Sequence, residues 1–169
     1  MRIIISDTSC MIDLRKAGLL RPLLDLPYMV AMPDVLFEDE FLCLSPEDKA
    51  SLCQYGLEVR ALPGELVAQA QEHRNRHRRL KLADCFALTL AEHEEESILL
   101  TGDASLKEIA VNKGIEAHGV LWAIDEMQEH AVSPVRALHD ALRILLNDPL
   151  VFLPEDEIRS RIRRLARLI

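Results

Sequence analysis

Asp7, Glu40, Asp84 and Asp103 lie far apart in the chain, yet each falls beside a segment boundary where a carboxylate can be presented. Asp7 directly follows the apolar run Ile3-Ile4-Ile5-Ser6, and Asp103 follows Ser97-Ile98-Leu99-Leu100-Thr101 by way of Gly102. Asp84 falls in the first turn of an apolar helical pattern, where backbone amides favour a negative charge. Glu40 lies in the helical pattern after the second strand-like run. If the four acids meet, their mutual repulsion raises their pKa values unless a cation neutralises them. Hard oxygen donors of this kind suit Mg2+ or Mn2+, which keep several of their waters. Such an ion polarises a phosphodiester and turns a bound water into a nucleophile, so the protein need not supply one. None is evident, because the chain has neither a G-x-S-x-G elbow nor a glycine-rich phosphate loop. Taken singly, each acid is explained as a helix cap, a turn residue or a solvated charge. The set together points to a metal site.

Bringing such a set together requires a fold that delivers several strand ends to one edge. Short β-branched runs alternate with longer helical patterns, which predicts an α/β fold. The expected form is a three-layer α/β/α arrangement around a mostly parallel sheet of four to five strands, with C-terminal helices added. In such sheets ligands bind beyond the carboxyl ends of the strands. Strands are expected at residues 2–6, 28–32, 57–61, 97–101 and 115–118, and the three isoleucines of the first predict burial on both faces. Helices are expected from the Asp7-Thr8-Ser9 cap through Leu20, from Asp34 across Phe41 to Leu44, from Ser45-Pro46, and from Pro63 toward a basic stretch. Others follow at 82–94, with Cys85, Leu88 and Leu82 inward, at 104–112, ended by Gly114, and at 119–129. Beyond Ser133 no strand signal remains. Ser133-Pro134 and Pro154-Glu155-Asp156-Glu157 start two helices, the second with Ile158, Ile162, Leu165 and Ile169 in one apolar stripe. The expected organisation is a domain over residues 1–130 with a helical extension, 131–169, packed on it.

Four segments carry a resemblance. Ile4-Ile5-Ser6-Asp7-Thr8-Ser9-Cys10-Met11-Ile12 and Pro33-Asp34-Val35-Leu36-Phe37-Glu38-Asp39-Glu40-Phe41 come first. Leu82-Ala83-Asp84-Cys85-Phe86-Ala87-Leu88 and Leu99-Leu100-Thr101-Gly102-Asp103-Ala104-Ser105-Leu106 follow. In order, spacing and context they resemble the four acidic motifs of the PIN domain family, over residues 1 to about 124. The resemblance implies a nuclease dependent on Mg2+ or Mn2+, chiefly an endoribonuclease, with RNA as its partner. Many PIN domains are toxins of bacterial toxin–antitoxin pairs, so it also implies an antitoxin protein as a candidate partner. Asp7, Asp84 and Asp103 would hold the metal and Glu40 would complete the site. Phe37 before Glu40 and Phe41 after it match the family's apolar framing; Glu38, three residues after Val35, is the alternate.

A net charge of −8 argues against a protein that coats polyanions along its whole surface. The local run His73-Arg74-Asn75-Arg76-His77-Arg78-Arg79-Leu80-Lys81 is the exception, directly before Asp84. Arg74, Arg76, Arg78, Arg79 and Lys81 are the expected nucleic-acid contacts, gripping phosphates without reading sequence; a solvated helix end is the alternative. His73 and His77 share a helix face but lack the glutamate of an HExxH site, so zinc is not expected. Aromatic residues are only 4%, which predicts an aliphatic core and no base-stacking platform. Cys10, Cys43, Cys53 and Cys85 form no CxxC pair and are expected as buried, reduced thiols. No apolar run reaches membrane-spanning length and no leader pattern opens the chain, which predicts a soluble, cytoplasmic protein without a membrane partner. A second copy of the chain is a further candidate partner. A phosphatase or dehalogenase of similar fold would carry a second Asp two residues after the first, where Ser9 stands. The remaining alternative is a PIN-like module that holds RNA or protein without cutting.

Overall fold

The computed structural model describes the backbone of residues 1–169 and every side chain but that of Glu40. Five strands form one sheet in the order β3-β2-β1-β4-β5, all parallel. They are β1 (Ile3–Ser6), β2 (Met29–Pro33), β3 (Leu57–Arg60), β4 (Ser97–Leu100) and β5 (Glu116–His118). The central strand is the isoleucine run: Ile4 pairs with Val30 on one side and Ile98 on the other, and Ile3 through Ser6 are all buried. Three apolar side chains in a row leave no polar face, so this strand is stable only under helices on both sides. The chain winds outward from β1 to β3, then crosses back to start β4 on the other side of β1. The order therefore reverses between β1 and β4, the place where open α/β sheets bind ligands.

Among the described residues, nine α-helices flank the sheet: α1 (Thr8–Lys16), α2 (Leu20–Leu24), α3 (Pro46–Gln54), α4 (Gly64–Arg76), α5 (Leu82–His93), α6 (Ala104–Asn112), α7 (Val120–Glu129), α8 (Val135–Asn147) and α9 (Glu155–Ala166). Every residue of α5 from Cys85 to Ala91 is buried, and the helix lies against β1, β2 and β4 between α4 and α6. A helix apolar on all sides must be covered on all sides. Helices α1, α2, α7 and α8 pack on one another, completing a three-layer α/β/α fold. Among the described residues, no helix is long and apolar enough to cross a membrane.

Cys10 and Cys85 are buried as expected, but Cys43 and Cys53 are exposed, and four further details depart from the expected elements. The first helix stops at Lys16 instead of running through Leu20, because Gly18 (φ +71°) takes the left-handed conformation that ends helices. A separate short helix, α2, follows. The second strand is not closed before its proline: Pro33 is its last residue and pairs with Arg60, a strand end at which a missing amide costs little. The segment after Asp34 is a single π-helical turn, Leu36–Glu40, in which the Phe41 amide donates to the Leu36 carbonyl at 3.0 Å. Leu36, Phe37 and Phe41 are all buried, and one widened turn lets all three reach the core. Leu82 is exposed at the first position of α5, while Cys85 and Leu88 face inward.

The C-terminal helices rest on the sheet domain. Leu138, Ala141, Leu142 and Leu145 of α8 and Ile158 and Leu165 of α9 are buried, whereas Ile169, the last member of the expected stripe, is exposed. Asp125 of α7 fastens α9: Arg161 Nε donates to both its oxygens at 3.0 Å and Arg164 Nη2 to one at 2.7 Å. The hydrogen bonds to Asp125 push the Arg161 guanidinium pKa further up, as expected for a forked, charge-assisted pair.

Candidate active site

Asp7 is held by strand and helix together. Its amide donates to the Leu100 carbonyl at 3.0 Å, extending the β1–β4 pairing by one residue. Its Oδ1 accepts the Cys10 amide at 2.9 Å and the Ser9 hydroxyl at 3.0 Å, so it caps α1. Asp103 is fixed in the same manner at the end of β4. The Thr101 amide donates to the His118 carbonyl at 2.8 Å, the Asp103 amide donates to Thr101 Oγ1 at 3.1 Å, and Asp103 Oδ1 accepts the Leu106 amide at 2.7 Å, capping α6. Asp84, in the first turn of α5, accepts the Lys81 amide on Oδ2 at 2.9 Å. Each carboxylate thus anchors one oxygen on a helix start and has a second to offer.

These three residues line one cavity of about 300 Å³, together with Lys81 and three residues of α1, Ser9, Cys10 and Asp13. Burial pushes the Asp84 carboxyl pKa up; the Lys81 amide opposes this, and the charges of Asp103 and Asp7 add to it. The Cys10 thiol is pushed well up by burial and by Asp7, which favours its neutral form. Asp13 was not among the residues expected here. It sits four residues after Ser9 and three after Cys10 on α1, which places it on the same helix face. That spacing was the available signal.

Burial raises the Asp13 pKa to about 6, with Lys16 opposing and Asp7 and Asp148 reinforcing. A carboxyl whose folded pKa lies above its unfolded value binds protons more tightly when folded, so its contribution falls as pH rises from about 4 through 6. Asp13→Asn removes that penalty. In metal-free buffer it should stabilise the protein above pH 7 by on the order of 1 kcal/mol, after discounting for solvent screening, and change little near pH 4. Thermal unfolding in EDTA at the two pH values measures this.

The remaining expected residues are distributed as follows. Glu40 ends the π-helical turn, and its side chain lies outside the described residues. Glu38, the alternate, does not reach the acidic cavity; it is exposed, 3.8 Å from Lys49 Nζ, and lines a separate hollow with Phe37 and Leu44. Lys81 lines the acidic cavity itself. Arg76, Arg78 and Arg79 are exposed and line a second hollow of about 480 Å³ with Ser105 and Asn112 of α6. The two hollows are two residues apart along the chain, from Arg79 to Lys81 and from Ser105 to Asp103. Arg74 is half-buried and donates to the Arg78 carbonyl at 3.2 Å, bracing the turn. His73 is buried, 2.6 Å from Glu92, which Lys113 also meets at 2.6 Å. Burial alone would raise the Glu92 carboxyl, but hydrogen bonds from Lys113 and His73 hold it below its ordinary range. His73 is thus a structural residue.

Among the described residues, no three acids, histidines or cysteines stand close enough to clasp one ion as placed. The donor set itself fits a hard dication. Asp7, Asp84 and Asp103 supply only oxygen, and they come near enough for Asp7 and Asp103 to raise the Asp84 pKa. Mg2+ and Mn2+ are commonly held by one or two carboxylates and several waters, which tolerates wider spacing than a closed cage.

A parallel sheet of order 3-2-1-4-5 with acids beyond the carboxyl ends of β1 and β4 defines a doubly wound domain with an anionic site at its switch point. A family model described as a PIN domain matches residues 3–167, and the chain belongs to the PIN domain family. PIN domains are generally nucleases and typically depend on divalent metal ions. The match continues through α8 and α9. A search of curated proteins found no match.

Proposed function

We propose that the chain is an endoribonuclease that hydrolyses RNA phosphodiester bonds with Mg2+ or Mn2+. The reading rests on one observation: carboxylates from three distant segments, Asp7, Asp84 and Asp103, line a single cavity beside Lys81. Asp7, Asp84 and Asp103 would hold the ion directly or through water. When bound, such an ion lowers the pKa of its water and neutralises charge on the phosphate. Lys81 holds a phosphate oxygen at the cavity wall, while Arg76, Arg78 and Arg79 carry the adjoining backbone through a screened electrostatic grip. Glu40 orients and deprotonates the attacking water. Residues 1–130 carry the chemistry, and residues 131–169 are a helical extension. The compartment is the cytoplasm; a small antitoxin protein is the proposed regulatory partner, and a homodimer the proposed assembly.

The test is digestion of a structured RNA with Mn2+ against EDTA. Cleavage with Mn2+ and none with EDTA is expected; RNA bound but uncut under both conditions would favour the binding-module alternative. Replacing Arg76, Arg78 and Arg79 together by Ala should weaken RNA binding about equally for every sequence. It should also flatten the dependence of log affinity on log salt by up to roughly three phosphate contacts' worth. A toxin role is read by growth arrest on expression, relieved by co-expressing a neighbouring small gene.

A further inference from the structure

Part of the lining of the acidic cavity is apolar and comes from the loop between α8 and α9. Leu150, Phe152 and Leu153 of that loop line the same cavity as Asp7, Asp84, Asp103 and Lys81. Phe152 is 89% exposed and Leu150 is 72% exposed. This exposure belongs to a fastened loop. Asp148 accepts the Leu150 amide at 2.8 Å on its carboxylate and the Val151 amide at 3.1 Å on its carbonyl, and Lys16 of α1 binds the Asp148 carboxylate at 3.2 Å. Val151 and Leu153 on either side of Phe152 are turned in against the core, so the ring between them points outward by alternation.

Two other rings at the surface are engaged. The Tyr55 ring is covered by the Arg21 guanidinium at 4.1 Å, and Trp122 stacks on His118 at 4.3 Å. Among the described residues, Phe152 alone is an aromatic face open at the rim of the site. The scarcity of aromatic residues argued against a stacking platform, yet one ring suffices if it stands beside the phosphate position.

We propose that Phe152, supported by Leu150, is a platform on which an unpaired nucleobase stacks next to the phosphate held in the acidic cavity, so that the substrate is a single-stranded segment. The proposal rests on the nuclease reading. A nucleotide joins an anionic phosphate to an uncharged planar ring, and the lining of the cavity offers those two complements, a cation-holding part with Lys81 and an apolar aromatic part. A base stacks on an aromatic ring through its face, which every base has, so the platform selects unpaired over paired strands without reading sequence. In a duplex the base must first leave its stack, which costs affinity.

The experiment uses the full chain in Ca2+ or EDTA buffer, with a fluorescent single-stranded RNA, a blunt duplex of the same sequence, and a separate Mn2+ titration. The wild type should bind the single strand more tightly than the duplex. Phe152→Ala should weaken single-strand binding by roughly 5- to 150-fold, the measured range for losing one stacked base. It should leave duplex binding and Mn2+ affinity unchanged, and Phe152→Trp should restore the single-strand preference. A 2-aminopurine in the RNA should be quenched by the wild type and not by Phe152→Ala. Undiminished single-strand binding by Phe152→Ala, or equal losses for both RNAs, overturns the platform. A concentration-dependent dimer abolished by Phe152→Ala would assign the patch to a second copy of the chain and also overturns it. Failure of the wild type to bind RNA while it takes up Mn2+ refutes the platform alone; failure to take up either refutes the nuclease reading with it.

Discussion

Asp7→Asn should abolish metal-dependent RNA cleavage while leaving the fold intact. Asn caps helices as well as Asp does, so the Cys10 amide and Ser9 hydroxyl keep an acceptor at the start of α1. The negative charge is lost, however, from the most central position at the sheet edge, 5% exposed and continuous with β1. Removing a group that merely supports a metal ligand typically costs 10- to 100-fold, so losing a proposed ligand should cost more than about 100-fold in cleavage rate. Circular dichroism and the unfolding midpoint should stay near wild type, since relief of repulsion with Asp84 and Asp13 offsets any weakening of the cap. Full activity in Asp7→Asn would remove Asp7 from the mechanism.

The largest effect on stability is expected at Phe41. Its side chain is the largest among the fully buried ones, and its amide closes the π-helical turn on Leu36. Phe41→Ala removes a whole ring from a core that is mostly aliphatic and leaves a void beside Phe37, whose ring centroid lies 6.4 Å away. A loss of about 3–5 kcal/mol is expected, a large part of the roughly 5–15 kcal/mol that holds a domain together. Urea unfolding with an unchanged slope and a much lower midpoint would show it. Phe41→Leu, which refills most of the volume, should lose far less. Because this turn carries Glu40, Phe41→Ala should also lose cleavage at temperatures where it remains folded.

Much of this arrangement was legible in the sequence because local chemistry and the global fold agree. Ile3 to Ile5 can only be a covered strand, so Asp7 had to emerge at a sheet edge. Thr101-Gly102-Asp103 places a turn and a cap after β4, so Asp103 had to emerge at the same edge. Asp84 was readable from helix-start preferences alone. What was missed depends on contacts between distant segments. Gly18 ends α1 early, but the apolar run around it made the first helix read on through Leu20 and hid α2. The π-helical turn is set by three buried side chains reaching the core together, and hydrophobic periodicity cannot separate it from an α-helix. His73 belongs by composition to a basic run, but Glu92 and Lys113, remote in sequence, draw it inward. Phe152 is one residue of an ordinary apolar loop until α8 and α9 dock and carry it to the cavity.

Density at the metal position tests the central claim most directly. Crystals soaked in Mn2+ and measured at an anomalous wavelength should show one or two peaks in the cavity between β1, β4 and the start of α5. Carboxylate oxygens from at least two of Asp7, Asp84 and Asp103 should lie within about 2.0–2.6 Å of a peak. A saturating soak that leaves the cavity without anomalous density, or that puts the ion beyond reach of all three carboxylates, would contradict the account.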